Sequence, residues 1–144
     1  MRILVDADAC PVKDLILKVA KQHGIPVVMF IDTSHEISDG YSEVVTVDKQ
    51  KDSVDIALAN QTKSTDIVVT QDHGVAAMAL GKRAKAINQN GFVYSQDNIE
   101  RLLFERHISQ RIRRSGGRTK GPKKRTNDNN VKFEETLRAL IEDQ

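Results

Sequence analysis

Four short apolar runs in this chain each end in aspartate: Ile3-Leu4-Val5-Asp6, Val27-Val28-Met29-Phe30-Ile31-Asp32, Val44-Val45-Thr46-Val47-Asp48 and Ile67-Val68-Val69-Thr70-Gln71-Asp72. Between them lie stretches of helical periodicity. Val12, Leu15, Ile16, Val19 and Ala20 make one apolar stripe, which Gly24 closes and Pro26 keeps from resuming. Strands that alternate with helices in this way belong to an α/β sandwich with a mainly parallel sheet. In such a sheet the ligand site lies beyond the carboxyl ends of the strands. The strand-end aspartates therefore collect at that edge, where their mutual repulsion is relieved if a hard cation such as Mg²⁺ sits among them.

The remaining elements follow from spacing and punctuation. Pro11 reads as the first residue of the first helix, where its missing N–H does no harm. A second helix starts at Asp52-Ser53, with Val54, Ala57, Leu58 and Gln61 on one face. Gly74 to Lys85 reads as a helix of small residues that can lie close to a sheet. Ala86-Ile87 and Phe92-Val93-Tyr94 are short strand candidates, one of which can instead be an extended connection. Asn98 opens a helix to about Ile112. Residues 115–130, rich in Gly, Lys, Arg and Asn, read as a flexible basic linker. Phe133, Leu137, Leu140 and Ile141 make a last short amphipathic helix. The expected organisation is an α/β domain over 1–114, a linker over 115–130 and a helix over 131–144.

Composition narrows the class. Cys10 is the only cysteine, so neither an internal disulfide nor a cysteine-rich zinc site is available. The amino terminus enters a strand at once, Asp6 interrupts any apolar run, and nothing reaches membrane-spanning length. The expectation is a soluble cytoplasmic protein. The formal net charge of +2 hides an asymmetry. Residues 1–100 carry 10 Lys/Arg and 14 Asp/Glu, whereas residues 101–125 carry 10 Lys/Arg and Glu105 alone. An acidic body with one concentrated basic segment suits a polyanionic partner.

The carboxylates differ in weight. Asp6 follows an apolar strand and stands too early to cap the next helix. Asp8 lies two residues on and shares its side if the strand continues. Asp72 precedes a helix, and Asp52 and Asp55 fall in a first helical turn, where a carboxylate also serves as a cap or meets the positive end of the helix. Asp32 and Asp48 read as solvated loop residues, and Asp66 lies at the opposite edge. Two Mg²⁺ or Mn²⁺ ions about 4 Å apart can stabilise the attacking and leaving oxygens of an in-line phosphoryl displacement, and three or four carboxylates suffice to hold them.

Three segments carry a resemblance: Val-Asp-Ala-Asp-Ala-Cys-Pro-Val-Lys at 5–13, Lys-Asp-Ser-Val-Asp at 51–55 and Val-Val-Thr-Gln-Asp-His-Gly-Val-Ala at 68–76. They resemble the bacterial YaiI/YqxD family over essentially the whole chain. That family is in turn similar to PIN-like nucleases, including the NYN branch. The resemblance implies a three-layer α/β/α Rossmann-like (PIN-like) domain with a basic C-terminal extension, whose acidic cluster binds Mg²⁺ or Mn²⁺ and cleaves RNA. By position, Asp6, Asp55 and Asp72 match the metal-binding acidic residues, with Asp52 as a neighbour and Asp8 in support. Asp97 is the candidate for a fourth acidic position. Aspartate here replaces the glutamate common at one PIN site.

Around this cluster, Lys13, Arg111, Arg113, Arg114, Arg118, Lys120, Lys123, Lys124 and Arg125 are the candidate nucleic-acid contacts, RNA in preference to DNA. Such contacts give affinity without sequence choice. The run has no aromatics, so it carries no base stacking of its own. Cys10 reads as a small buried apolar residue, His73 as a surface histidine, and His23, His35 and His107 show no metal-ligand spacing. Two other functions compete with a metal-dependent ribonuclease. One is an RNA-binding module with a vestigial metal site. The other is an Asp-x-Asp phosphatase with Asp6 as nucleophile, Thr33 after the second strand and Lys82 as the later lysine.

Overall fold

The computed structural model describes residues 1–119, 121 and 123–143. Its elements in chain order are β1 (Ile3–Asp6), α1 (Lys13–His23), β2 (Val27–Asp32), β3 (Glu43–Val47), α2 (Ser53–Gln61), β4 (Ile67–Val69), α3 (His73–Gly81), β5 (Lys85–Ile87), α4 (Gln96–Arg114) and α5 (Asn127–Glu142). The strands form one sheet in the order β3-β2-β1-β4-β5, and every pairing is parallel. Alternate side chains of each strand face opposite layers. Ile3, Val5, Val27, Met29, Ile31, Ile67 and Val69 pack with Ile16 and Val19 of α1 and with Phe133, Leu137 and Ile141 of α5. Leu4, Val28, Phe30 and Val68 pack with Leu58 of α2, Val75, Ala76 and Ala79 of α3, and Ile99 of α4. The result is a three-layer α/β/α Rossmann-like fold. Helices cover both faces, which is why the central strands read as continuous apolar runs.

Several boundaries differ from the sequence expectation. Helix α1 begins at Lys13, two residues beyond Pro11, because buried Ala7, Cys10 and Val12 are spent on a turn that folds into the core. Helix α3 stops at Gly81, and Lys85 belongs instead to β5, where it pairs with Ile67. Of the two short strand candidates, residues 85–87 form β5, whereas Val93 makes only an isolated antiparallel bridge to Ile87 and its segment is an extended connection. Helix α4 starts at Gln96, two residues before Asn98, whose side chain instead accepts the Ser95 N–H at 3.0 Å. Helix α5 starts at Asn127, where Asn129 in the same way accepts the Thr126 N–H at 2.8 Å. Among the described residues, no helix is long and apolar enough to cross a membrane.

This topology positions the site. β2 and β3 lie on one side of β1, while β4 and β5 lie on the other. The strand order thus reverses between β1 and β4, and the crevice outside the carboxyl ends there is where open α/β sheets bind ligands. Asp6 ends β1 at that crevice, and Thr70-Gln71-Asp72 follows β4 beside it.

Candidate metal centre and basic groove

The register between β1 and β4 sets Ile3 beside Ile67 and Val5 beside Val69, so Asp6 falls level with Thr70. The Thr70 hydroxyl donates to Asp6 Oδ2 at 2.9 Å and accepts the Asp72 N–H at 3.0 Å. One side chain thus ties the end of β1 to the entrance of α3. Asp72 is a true N-cap: its Oδ1 accepts the N–H groups of Gly74 at 2.7 Å and Val75 at 3.1 Å. The same oxygen receives the Arg106 guanidinium of α4 at 3.2 Å. Beneath them, buried Tyr94 donates its hydroxyl to the Thr70 carbonyl at 3.2 Å. Asp6, Asp8, Ala9, Gln71 and Asp72 line an open pocket of about 260 Å³.

Charge crowding sets the proton affinities. Burial pushes the Asp6 carboxyl above its ordinary range; the Thr70 hydrogen bond opposes this, and the charges of Asp72 and Asp8 add to it. Burial also pushes Asp55, in the first turn of α2, up to about 6, with further contributions from Asp72, Asp6 and Asp52 against a lowering by Arg106. Asp6, Asp55 and Asp72 therefore share one field. Asp52 stands at the N-cap position of α2 with a left-handed φ of 65°, but its side chain makes no capping hydrogen bond. Asp97 is exposed in the first turn of α4 and does not line the pocket.

A second grouping adjoins the first. The β1–β2 register pairs Ile3 with Val27 and Asp6 with Phe30, which brings Asp8 level with Asp32. Asp8 Oδ1 accepts the Asp32 N–H at 3.2 Å and lies 3.0 Å from His35 Nδ1, which is itself 3.3 Å from Asp32 Oδ1. Among the described residues, Asp8, Asp32 and His35 are the group of three whose ligand atoms fall within 4.8 Å of one another. Asp32 is thus not a plain solvated loop residue, and His35 does belong to a ligand-like set. Asp32 Oδ1 also accepts the Ser34 N–H at 2.8 Å and the Ser34 hydroxyl. The Ser34 hydrogen bonds, with His35 nearby, hold its carboxyl below the usual range.

The basic residues divide by location. Arg111, Arg113 and Arg114 occupy the last turn of α4, where Arg113 donates to Thr119 Oγ1 at 3.1 Å, and Arg118 is exposed just beyond. Lys120 lies outside the described residues. Arg125 is pinned by bonds to Asn90 Oδ1 at 3.0 Å and to the Gln89 carbonyl at 2.8 Å. Lys123, Lys124 and Arg125 line a groove of about 570 Å³ together with Gln89, Asn90 and Asn129. Ala9 and Gln71 wall both this groove and the carboxylate pocket, and Gln71 Nε2 donates to the Ala9 carbonyl at 2.9 Å. Lys13 turns its ammonium to the Ala7 carbonyl at 3.5 Å.

Cys10 is buried, and burial pushes its thiol up, as suits an apolar filler. His73 is half-buried rather than on the surface, with Nδ1 3.3 Å from the Leu102 carbonyl. Lys82 lies past the end of α3, at the amino edge of the sheet, and donates to the Ala59 carbonyl. The phosphatase arrangement, which needs that lysine beside Asp6, is therefore not assembled.

Comparison with known proteins places the chain. The family described as "Uncharacterized BCR, YaiI/YqxD family" matches residues 4–143. The chain belongs to the YaiI/YqxD family. Its relatives include a UPF0178 protein of Ruminiclostridium cellulolyticum, 64% identical over 98% of this chain and 92% of that one. Another, from Lachnoclostridium phytofermentans, is 55% identical over 98% of this chain and 97% of that one. No solved structure matches the chain.

Sequence reasoning missed Arg106, Asp32 and His35. A parallel pairing of the first two strands by their apolar runs would have put Asp8 beside Asp32. Nothing in the sequence points to Arg106, which reaches Asp72 only because α4 packs on α3.

Proposed function

We propose that the protein is a divalent-metal-dependent phosphodiester hydrolase acting on RNA. One observation carries this reading: a carboxylate pocket at the topological switch point shares a wall, Ala9 and Gln71, with a groove lined by Lys123, Lys124 and Arg125. A strand bound by its phosphates along the lysines would lie beside the carboxylates. The donor set suits a hard cation, because its ligands are oxygens and because crowding and burial raise Asp6 and Asp55 together. Asp6, Asp55 and Asp72 would hold Mg²⁺ or Mn²⁺, with Asp8 and Asp52 alongside. When bound, the metal supplies charge neutralisation and Lewis-acid activation for phosphodiester hydrolysis. Thr70 orients Asp6 through its hydroxyl, and Lys123 and Lys124 hold backbone phosphates. The resemblance to PIN-like nucleases supports the same assignment.

The ion pair between Arg106 and Asp72 favours a second reading, an RNA-binding protein whose carboxylates are partly balanced by the chain itself. Labelled single-stranded RNA separates the two. Mn²⁺-dependent cleavage should vanish in Asp6→Asn while the fold persists. The double variant Lys123→Ala/Lys124→Ala should lower the slope of log affinity against log salt by about 1.4, the value for two single-strand phosphate contacts. Cleavage by Asp6→Asn at the wild-type rate sinks the hydrolase. Salt-dependent binding without cleavage under any divalent ion selects the second reading.

A further inference from the structure

The two oxygens of Asp72 have different partners. Oδ1 accepts the N–H groups of Gly74 at 2.7 Å and Val75 at 3.1 Å and is met by Arg106 Nη1 at 3.2 Å. Among the described residues, Oδ2 accepts no hydrogen bond, so it is the oxygen left for a cation.

Arg106 is likewise half engaged. A guanidinium offers five N–H donors in a planar fork. Three other arginines of this fold turn the Nε–Nη2 edge of that fork on the protein. Arg2 holds both oxygens of Asp66 through it, at 3.2 and 2.8 Å. Arg125 holds Asn90 and Gln89, at 3.0 and 2.8 Å, and Arg138 holds Glu134, at 3.1 and 3.0 Å. Arg106 instead meets Asp72 through Nη1, and among the described residues its Nε and Nη2 have no partner. The side chain is 41% exposed, so packing does not seal it.

The start of α3 leaves room for this guanidinium. Gly74 has no positive φ that would call for glycine, but a Cβ there would lie 3.0 Å from Asp72 Oδ1 and 3.4 Å from Arg106 Nη1. A side chain would crowd both partners. The positive charge of Arg106 is also felt at Asp55, where it opposes the upward shift of the carboxyl. Arg106 therefore stands beside two of the candidate metal ligands, and it does not line the groove of Lys123, Lys124 and Arg125.

We propose that Arg106 is a phosphate-binding residue of the carboxylate site: Asp72 fixes one end of its guanidinium, and the open Nε–Nη2 edge receives two oxygens of a phosphodiester. The assignment rests on the reading of the protein as a metal-dependent hydrolase of RNA and adds a cationic contact at the phosphate to be cut. Such a fork matches phosphate geometry bidentately. Carboxylates repel a phosphodiester, and a guanidinium fixed among them offsets that repulsion.

The test measures binding of a labelled single-stranded RNA octamer at low fixed Ca²⁺, a hard cation that satisfies the carboxylates, with KCl varied. Mn²⁺ binding without RNA is followed by electron paramagnetic resonance. Arg106→Gln should move the thermal midpoint by no more than about 3 °C, as suits an exposed ion pair. It should weaken RNA binding by roughly fivefold or more and lower the slope of log affinity against log salt by about 0.7, the value for one single-strand phosphate contact. Mn²⁺ should bind the variant at least as tightly as wild type, because a neighbouring positive charge is gone. Arg106→Lys, which keeps the charge without the fork, should keep the slope and recover only part of the affinity. Wild-type affinity and slope in Arg106→Gln overturn the phosphate contact even where the wild type cleaves RNA, and the hydrolase reading then stands. Weaker Mn²⁺ binding with RNA affinity unchanged also overturns it, because Arg106 then only sets Asp72. A lowered slope in a protein that cleaves under no divalent ion keeps the contact and removes only the hydrolase. Failure of the wild type to bind the octamer overturns both.

Discussion

Replacing Asp55 by asparagine should stabilise the metal-free protein at neutral pH, although it removes a candidate ligand. Burial and the charges of Asp72, Asp6 and Asp52 raise the carboxyl from 3.8 to about 6. Among the described residues, burial and neighbouring charges alone set this value, with only the charge of Arg106 opposing the rise. Because the folded-state value is the higher one, the stability linked to this group is fully present below the unfolded value near 4. It is lost as pH rises through about 6. Taken at face value the rise corresponds to roughly 3 kcal/mol, but solvent screening of a half-exposed group cuts this to about 1 kcal/mol. In a chain of this length that amounts to a thermal midpoint higher by about 3–5 °C. The assay is thermal unfolding in EDTA of wild type and Asp55→Asn at pH 4.5, 6 and 7.5. The difference should be small at pH 4.5 and largest at pH 7.5. Added Mn²⁺ should raise the midpoint of the wild type more than that of the variant. A variant less stable than wild type at pH 7.5, or a gain equal at pH 4.5 and 7.5, refutes the reasoning that crowded carboxylates destabilise this edge.

Two more outcomes follow from the geometry. Asp72→Ala removes the cap of α3 and should cost about 1–2 kcal/mol in urea unfolding, while Asp72→Asn, which can still accept the two N–H bonds, should cost less. Gly91→Ala should lower the urea midpoint by more than about 1 kcal/mol equivalent, because the residue holds φ +82° and an added Cβ would lie 2.9 Å from the Lys132 carbonyl.

The layer structure was readable from the chain because it rests on local patterns. Apolar runs of strand length, the stripe on α1 and the Gly24-Pro26 stop are short-range signals, and each element they imply is present. Gly24 indeed closes α1 in the left-handed region, at φ 65°. The boundaries that moved did so where tertiary packing overrode local preference. Pro11 is excluded from α1 by a turn that buries Ala7 and Val12, and Lys85 leaves α3 for a strand.

The site divides along the same line. That Asp6 and Asp72 lie at the carboxyl edge follows from their position after apolar strands in a parallel sheet, and so does the general acidity of that edge. Which groups meet there depends on register and helix packing. An offset between β1 and β2 sets Asp8 against Asp32 and His35, and one between β1 and β4 sets Thr70 against Asp6. The packing of α4 on α3 delivers Arg106 to Asp72, and Arg125 is held against the 88–91 turn where Lys123 and Lys124 line a groove that shares Ala9 and Gln71 with the carboxylate pocket. By itself the sequence determined the class of fold, the chemistry of its edge and the presence of a basic segment, all of which are encoded within a few residues. Tertiary structure alone decided which charges share a pocket. Those contacts join residues tens of positions apart, and only the summed packing of the sheet and its helices selects them.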